Sequence, residues 1–345
     1  MDRDPSATSG WATGGRGRAT SWRLVALGGA LVLLALAAAA SLAFGSHPVP
    51  IGDVLAALGG HEGTYADRVV ASRVPRTLTG LLAGACLAVA GVVMQGVTRN
   101  PLGDPGLFGV NLGAAAAVVT ASAFLGIGGA PTVWVALPGA LLAMAVVYAV
   151  GSGPSGATPV RLVLAGAVVT AVLTAYVQVV TLRLPEVFDS YRFWVVGSLA
   201  GSRTGDLVEV LPLALPALLV VLASAGALNA LALGDLTAAG LGAHPGRTRG
   251  VGLVAASVLS AVATAVAGPI AFIGLAVPHL VRAAVGSDHR WQLPFSLVLG
   301  PALLLAADVV GRLVIAPREL MVGVVTAFVG APFLLVAVRR IRSIT

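Results

Sequence analysis

Apolar runs close to the length that crosses a bilayer, about 20 residues, recur along almost the whole chain. They cover residues 24–44, 80–97, 107–127, 133–150, 162–182, 207–228, 251–266, 272–285, 295–315 and 322–338. In water a helix that is apolar all round has nowhere to hide its surface, so runs of this kind belong in lipid. Composition agrees: 57% of the residues are hydrophobic and only 10% charged, where soluble domains carry about 25% charged residues. The mean hydropathy is +0.96. The reading is an all-α, polytopic membrane protein with about ten transmembrane helices, some short or broken by Gly and Pro. An even number of crossings puts both termini on one side.

Residues 1–22 are rich in Ser, Gly, Thr and Arg and read as a disordered cytoplasmic tail. The run at 24–44 is too long for a signal peptide, whose apolar core has roughly 7–15 residues, so it is taken as the first span. Residues 23–345 then form a single transmembrane domain. The net charge is +7, and all 21 basic residues are arginine. They are scattered among loops instead of forming a stripe, which excludes nucleic acid as a partner. The single cysteine, Cys86, lies inside an apolar run; it excludes an intrachain disulfide and reads as a small packing residue.

Arginine bias sets the orientation. With both termini inside, Arg3, Arg16, Arg18, Arg23, Arg99, Arg161, Arg247, Arg249, Arg282, Arg290, Arg339, Arg340 and Arg342 are cytoplasmic. Arg68, Arg73, Arg76, Arg183, Arg192, Arg203, Arg312 and Arg318 fall outside, more than topology alone requires. Something anionic is expected on that face.

Two segments interrupt the apolar pattern. "RNPLGDPGLFG", residues 99–109, joins the second and third runs. Its prolines lack a donor and bias the preceding residues away from helix, and its glycines permit left-handed backbone. "GPIAFIGLAVPHLVR", residues 268–282, is the second break. Irregular backbone at membrane depth is tolerated only where protein or a water-filled cavity surrounds it. Paired broken segments, one in each half and running in opposite directions, point to inverted repeats around a transport path. Asn100, Pro101, Gly268, Pro269, Gly274 and Pro278 are the candidate path and gating residues.

Enzyme signatures are missing. A P-loop needs a lysine, and the chain has none. The five histidines show no metal-ligand spacing, His279 reads as structural, and no cofactor or metal is expected. Asp308 is the main intramembrane carboxylate; Arg312, four residues on, shares its helix face and can neutralise it. One paired carboxylate is thin equipment for an ion-coupled secondary transporter, and a membrane-embedded enzyme has no catalytic constellation here. Gln95, Asn111 and Gln178 read as hydrogen-bonding positions between helices. The segment 233–247 is too polar and Gly-rich to span, yet Leu236, Ala239 and Leu241 form a short apolar pattern suited to surface helices.

These stretches resemble the FecCD-type permeases, the membrane subunits of ABC importers for iron–siderophores, haem and cobalamin. "RVPRTLTGLLAGACLAVAGVVMQGVTRNPLGDPGLFGVNLGA" (73–114) is similar to the family's first signature block. "GPIAFIGLAVPHLVRAAVGSDHR" (268–290) resembles the second, and "GPALLLAADVVGRLVIAPRELMVGVVTAFVGAPFLLVAVRR" (300–340) the third. "LNALALGDLTAAGLGAHPGRTR" (228–249) is similar to the cytoplasmic coupling segment. Met321 stands where the family usually has Pro.

The resemblance implies a type II importer permease that pairs with itself or a related permease in a bacterial inner membrane. Two cytoplasmic ATPases would dock inside, on a segment spanning about 229–249 with Gly234, Asp235, Leu236, Ala239, Leu241 and Gly242 as coupling residues. An extracytoplasmic substrate-binding protein would dock outside. There Val74-Pro75 would hold Arg73 and Arg76 extended, and these with Arg312 would receive its acidic side chains. Ferric siderophore is the first expectation for the cargo, cobalamin or haem the alternatives. The spans supply no ligand set for a bare metal ion, and their Ala, Gly, Val and Leu walls suit a bulky chelate passing with little affinity.

Overall fold

A computed structural model describes residues 14–45, 48–60, 63–126, 132–153 and 156–342. Seven helices are long and apolar enough to cross a membrane: α1 (Gly14–Ala43), α3 (Tyr65–Thr98), α5 (Thr132–Gly151), α6 (Pro159–Arg183), α8 (Thr204–Ala223), α11 (Pro245–Ala267) and α13 (His289–Val314). Two shorter apolar helices, α4 (Val110–Phe124) and α12 (Ile273–Val285), and the apolar stretch Val322–Pro332 of α14 (Val322–Arg342) bring the described set to the ten expected. Short helices fill the connections: α2 (Ile51–Leu58), α7 (Pro185–Trp194), α9 (Ala225–Ala232) and α10 (Asp235–Gly240). The departure from helix is a two-residue antiparallel ladder pairing Ser152 with Ala157 and Gly153 with Gly156.

The axis of the molecule is α3, which packs against α13, α11 and α12. Apolar burial alone does not hold helices together in lipid, because the tails are as apolar as the side chains; close backbone approach does. Glycines supply it. A side chain on Gly84 would begin 2.6 Å from Pro301 Cα, and one on Gly300 2.3 Å from the Gly84 carbonyl oxygen. One on Gly91 would meet the Gly274 carbonyl oxygen at 1.9 Å. Outside the axis, Gly113 of α4 and Gly139 of α5 press together in the same manner, each 2.5 Å from the other's carbonyl oxygen by that measure. Cys86 is fully buried among the apolar residues of α3.

The two halves repeat one design in opposite directions. In each, a long helix stops, the backbone breaks, and a short helix follows: α3, break, α4, then α11, break, α12. Each short helix is preceded by a residue in the left-handed region, Gly109 (φ 76°) and Phe272 (φ 71°). Near the end of α3, Gly252 of α11 faces Val93 and Val97. Toward the far end, Gly80 faces Leu199 in the connection after α7, while Gly197 of that connection touches Pro269 just beyond α11. The two long helices are therefore antiparallel.

Three boundaries differ from the sequence reading. Residues 14–22, assigned to the tail, are the first turns of α1; Trp22 Nε1 donates to the Ala284 carbonyl at 3.2 Å and Arg23 stacks over the Trp291 ring, anchoring them. Residues 1–13 of that tail lie outside the described residues. Residues 225–228, read as the end of a span, belong to α9. Finally, α3 starts at Tyr65 under a capping box between Thr64 and Asp67, well before Gly80, and carries Pro75 inside it. Arg73 and Arg76 are thus helical, not extended.

Replacing Gly91 with Val should force α3 and α12 apart, costing at least the ~1–3 kcal/mol typical of overpacking. Gly28→Val, at a position with nothing within 4 Å, should change stability by less than about 0.5 kcal/mol. Thermal unfolding of the detergent-solubilised protein measures both; equal midpoints would contradict the close approach.

Candidate functional site

The candidate docking and coupling side chains gather at the two ends of α3. Arg76 and Arg99 stand 23 positions apart in the sequence, about 35 Å at 1.5 Å per residue.

At the first end, Arg73, Arg76 and Arg312 do come together, around Asp308. Arg76 forks onto Asp308, with Nη2 2.8 Å from Oδ1 and Nε 3.0 Å from Oδ2. Arg312 Nη2 reaches Asp308 Oδ2 at 2.8 Å, the i,i+4 pair anticipated from sequence. Asp308 is fully buried and Arg312 1% exposed, so each charge needs the others. Arg312 is further held by α1, donating from Nη1 to the carbonyls of Ser41 (2.9 Å) and Phe44 (3.0 Å) and from Nη2 to Ser41 Oγ (2.9 Å). Arg73 donates from Nη1 to the Leu42 and Ala43 carbonyls at 2.8 and 2.9 Å. The geometry therefore corrects the picture of three arginines reaching outward: Arg73 and Arg312 are buried and tie α1 to α3 and α13. Arg76, at 13% exposure, also donates from Nη1 to Glu319 Oε2 at 2.7 Å. All three arginines and Glu319 line a cavity of about 350 Å³, with Tyr65, Ser72 and Gly201 at its walls.

At the other end, Arg99, left-handed at φ 50°, closes α3. Its guanidinium donates twice to the Leu231 carbonyl, at 3.0 and 2.6 Å, and pairs with Asp235 at the start of α10. Arg249 of α11 grips the same carboxylate with Nη1 at 2.9 Å and Nη2 at 2.6 Å. The bonds from Arg249, then those from Arg99, hold the Asp235 carboxyl below its ordinary range. A depressed carboxyl stabilises above its unfolded pKa, about 3.9, and that contribution fades as pH falls through the folded value. A second tie joins α9 to α13: Asn229 Oδ1 accepts from the His289 amide at 2.9 Å and from His289 Nδ1 at 2.8 Å, while its amide donates to Asp288. Burial works against the Asp288 charge, but the Asn229 amide and nearby Arg290 and Arg23 outweigh it and lower that pKa.

Between these ties α10 shows an apolar outer surface. Leu236 is 91% and Leu241 65% exposed, Ala239 is exposed, and Ala238 is buried beneath. Gly234 (φ 107°) and Gly242 (φ 79°) make the turns on either side, which other residues would strain.

The breaks lie along the axis. Asn100 folds the first back on itself, its side-chain oxygen accepting from Leu102 N at 2.9 Å and its carbonyl from Gly103 N at 2.9 Å. Pro101 follows in that turn. Asp104 accepts from Gly106 N at 2.7 Å and presents its second oxygen to Gly274 of the other break. Gly274 and Pro278 are buried in α12, and Gly268 is packed against the Trp194 carbonyl, with Pro269 against Gly197. Gly274 and Pro278 thus lie in the packed interior, while Gly268 and Pro269 make close backbone contacts with the connection after α7. Of the three intramembrane amide side chains, Asn111 accepts from Thr264 (2.9 Å) and Gln95 from Arg282 (3.2 Å), whereas Gln178 is exposed. His279 Nδ1 bonds the Leu275 carbonyl at 2.8 Å. A second cavity, about 570 Å³ between α4, α5 and α6, is lined by Gly, Ala, Val, Leu and a single Thr. Among the described residues no cluster of three His, Cys, Asp or Glu side chains could hold a metal ion.

Sequence reasoning missed Glu319, Arg99, Arg249 and Asn229 as functional neighbours. The Arg76–Asp308 pair is 232 residues apart, and no local pattern carries it.

Two inverted halves of apolar helices around a glycine-packed axis define the class: a multi-pass membrane permease. The chain belongs to the FecCD transport family, whose model matches residues 32–340. It is similar to the ferric enterobactin transport system permease protein FepD of Escherichia coli, 47% identical over 321 residues that cover 92% of this chain and 96% of that one. The Fe(3+)-citrate import system permease protein YfmD of Bacillus subtilis is 37% identical over 328 residues, 95% of this chain and 98% of that one. A solved structure described as an inward-facing conformation of a metal-chelate type ABC transporter superposes with a TM-score of 0.78 at 28% identity, covering 92% of this chain and 99% of that one. The chain is a transport subunit of an inner membrane, and ATP hydrolysis belongs to a separate polypeptide.

Asp308→Asn should leave Arg312 buried without a counter-charge. The expected loss is toward the low end of the ~3–5 kcal/mol seen for broken buried pairs, because α1 carbonyls still accept from Arg312. A lower unfolding midpoint in detergent checks this; unchanged stability would show that the pair is not structural.

Proposed function

We propose that this chain forms the membrane path of an ATP-driven importer for a ferric siderophore complex. The observation that carries the reading is the full-length similarity to the ferric enterobactin permease, joined to a fold with an arginine cavity at one end and an exposed apolar helix at the other. Cobalamin or haem as the cargo are outcomes of the test below.

The arginine end faces outward and receives acidic side chains of an extracytoplasmic binding protein. Arg76, partly exposed beside its cavity, is the primary donor to the partner's carboxylate; Arg73 and Arg312 hold the cavity's shape and charge. Arginine suits the task because its planar fork binds carboxylates in two-point fashion. The opposite end faces the cytoplasm, with both chain termini, as the arginine bias favours. There Leu236, Ala239 and Leu241 seat in a groove of an ABC ATPase, Gly234 and Gly242 set the turns, and Asp235 ties the helix to the axis. Two such ATPases serve two permeases, either identical or closely related. Exposed apolar side chains on α6, including Leu164, Val168, Val172 and Val179, support a lateral face toward the second permease. The broken segments, with Asn100, Pro101, Gly268, Pro269, Gly274 and Pro278, border the passage between them. Its apolar lining gives a chelate little to bind, and one-way release requires weak binding.

Leu236→Glu should lower ATP-driven uptake at least tenfold while leaving membrane insertion and unfolding temperature unchanged. Uptake at the wild-type rate would remove α10 from the coupling role. For the cargo, the partner binding protein is titrated with ferric siderophores, haem and cobalamin, and a strain lacking this chain is assayed for uptake of whichever binds. Loss of ferric-siderophore uptake supports the proposal. Binding of cobalamin or haem alone, or loss of free-iron uptake with chelate transport intact, contradicts it.

A further inference from the structure

The arginine cavity contains more than the docking reading uses. Three guanidinium groups face two carboxylates there, Asp308 and Glu319, and the two carboxylates differ in kind. Asp308 is sealed in and gripped by both Arg76 and Arg312. Glu319 is 32% exposed, sits in the connection between α13 and α14, and touches the cluster through one contact, the 2.7 Å bond from Arg76 Nη1. The other two donors of Arg76, Nε and Nη2, are committed to Asp308. Nη1 is therefore the Arg76 donor whose present acceptor can swing away without opening the core. The connection itself stays anchored when it does, because Leu320 N bonds the Gly311 carbonyl at 2.9 Å.

We propose that Glu319 is an internal stand-in for the carboxylate of the docking protein, occupying Arg76 Nη1 until an acidic side chain from that partner displaces it. The proposal rests on the docking reading of this cavity and adds the identity of the residue that yields. Its physical basis is exchange. An empty cavity would leave a partly desolvated guanidinium short of an acceptor, which is costly. A carboxylate already in place removes that cost and is replaced by another of the same chemistry, so Arg76 is never left short. The released Glu319 returns to solvent at the cavity mouth, where hydration compensates it. The occupied cavity also holds only one net positive charge in the resting state, which restrains capture of unrelated anions.

The exchange predicts a gain. Glu319→Gln keeps a neutral acceptor of the same shape but adds one net positive charge to the cavity and loosens the bond to be displaced. Capture of an acidic partner should tighten about three- to tenfold at low salt, mostly in association rate, with the difference shrinking as salt rises. Ser72→Glu, at an exposed position on the same wall, instead places a carboxylate at the mouth and should weaken capture at least tenfold. The measurement is binding of the extracytoplasmic binding protein of the same transport system to the wild type and both variants in lipid nanodiscs. Runs at low and high salt accompany it, and unfolding temperature serves as the folding check. Tighter capture by Glu319→Gln supports the exchange. Weaker or unchanged capture by Glu319→Gln, with Ser72→Glu weakened, overturns the exchange and leaves docking standing. Unchanged capture by Ser72→Glu overturns the docking reading itself, and the exchange with it.

Discussion

Everything in this molecule hangs on the closeness with which α3 meets its neighbours. Lipid offers no hydrophobic reason for helices to associate, so the contacts must come from backbones brought within van der Waals range. Gly84 against Gly300 and Gly91 against Gly274 do this along one helix. The consequence reaches beyond stability. Because α3, α12 and α13 touch backbone to backbone, the ion cluster at one end and the Asp235 tie at the other sit on one packed body. In the proposed function, a docking event on one side and an ATPase movement on the other would therefore act on the same framework.

The charged groups follow from that framework. Asp308 and Arg312 would be ruinous alone inside a membrane; together with Arg76 they convert three charges into a joint between α3 and α13, while Arg73 and Arg312 reach across to α1 carbonyls. At the far end Arg99 ends α3 in a left-handed turn and spends its guanidinium on α9 and α10. The same residue type thus serves as a core joint at one end and a surface tie at the other, according to how much water is left to compete.

The spans were legible because a bilayer demands contiguous apolar residues, and that demand is written locally. The breaks were legible for a similar reason: Pro101, Pro105, Gly268 and Pro269 announce irregular backbone wherever they stand. The surface helix α10 showed itself as a polar, Gly-rich interval with three apolar positions. Less visible was where α3 begins, since Pro75 suggested a boundary that the Thr64–Asp67 capping box overrides by starting the helix ten residues earlier. The burial of Arg312 was hidden altogether. Its i,i+4 partner could be read from spacing, but the Ser41 and Phe44 carbonyls that receive it are some 270 residues away, and only the packing of α1 on α13 brings them there. Glu319 was hidden for the same reason.

In the proposed function this chain supplies a passage and a mechanical link, and the energy comes from ATP hydrolysed on another subunit. The direct measurement is uptake of a ferric siderophore into vesicles holding the chain with its ATPase and binding protein. ATP or a proton gradient is supplied separately. Accumulation that requires ATP on the ATPase side, stops with a hydrolysis-dead ATPase and ignores a proton ionophore is the predicted result. Accumulation that survives the dead ATPase and collapses with the ionophore would contradict it.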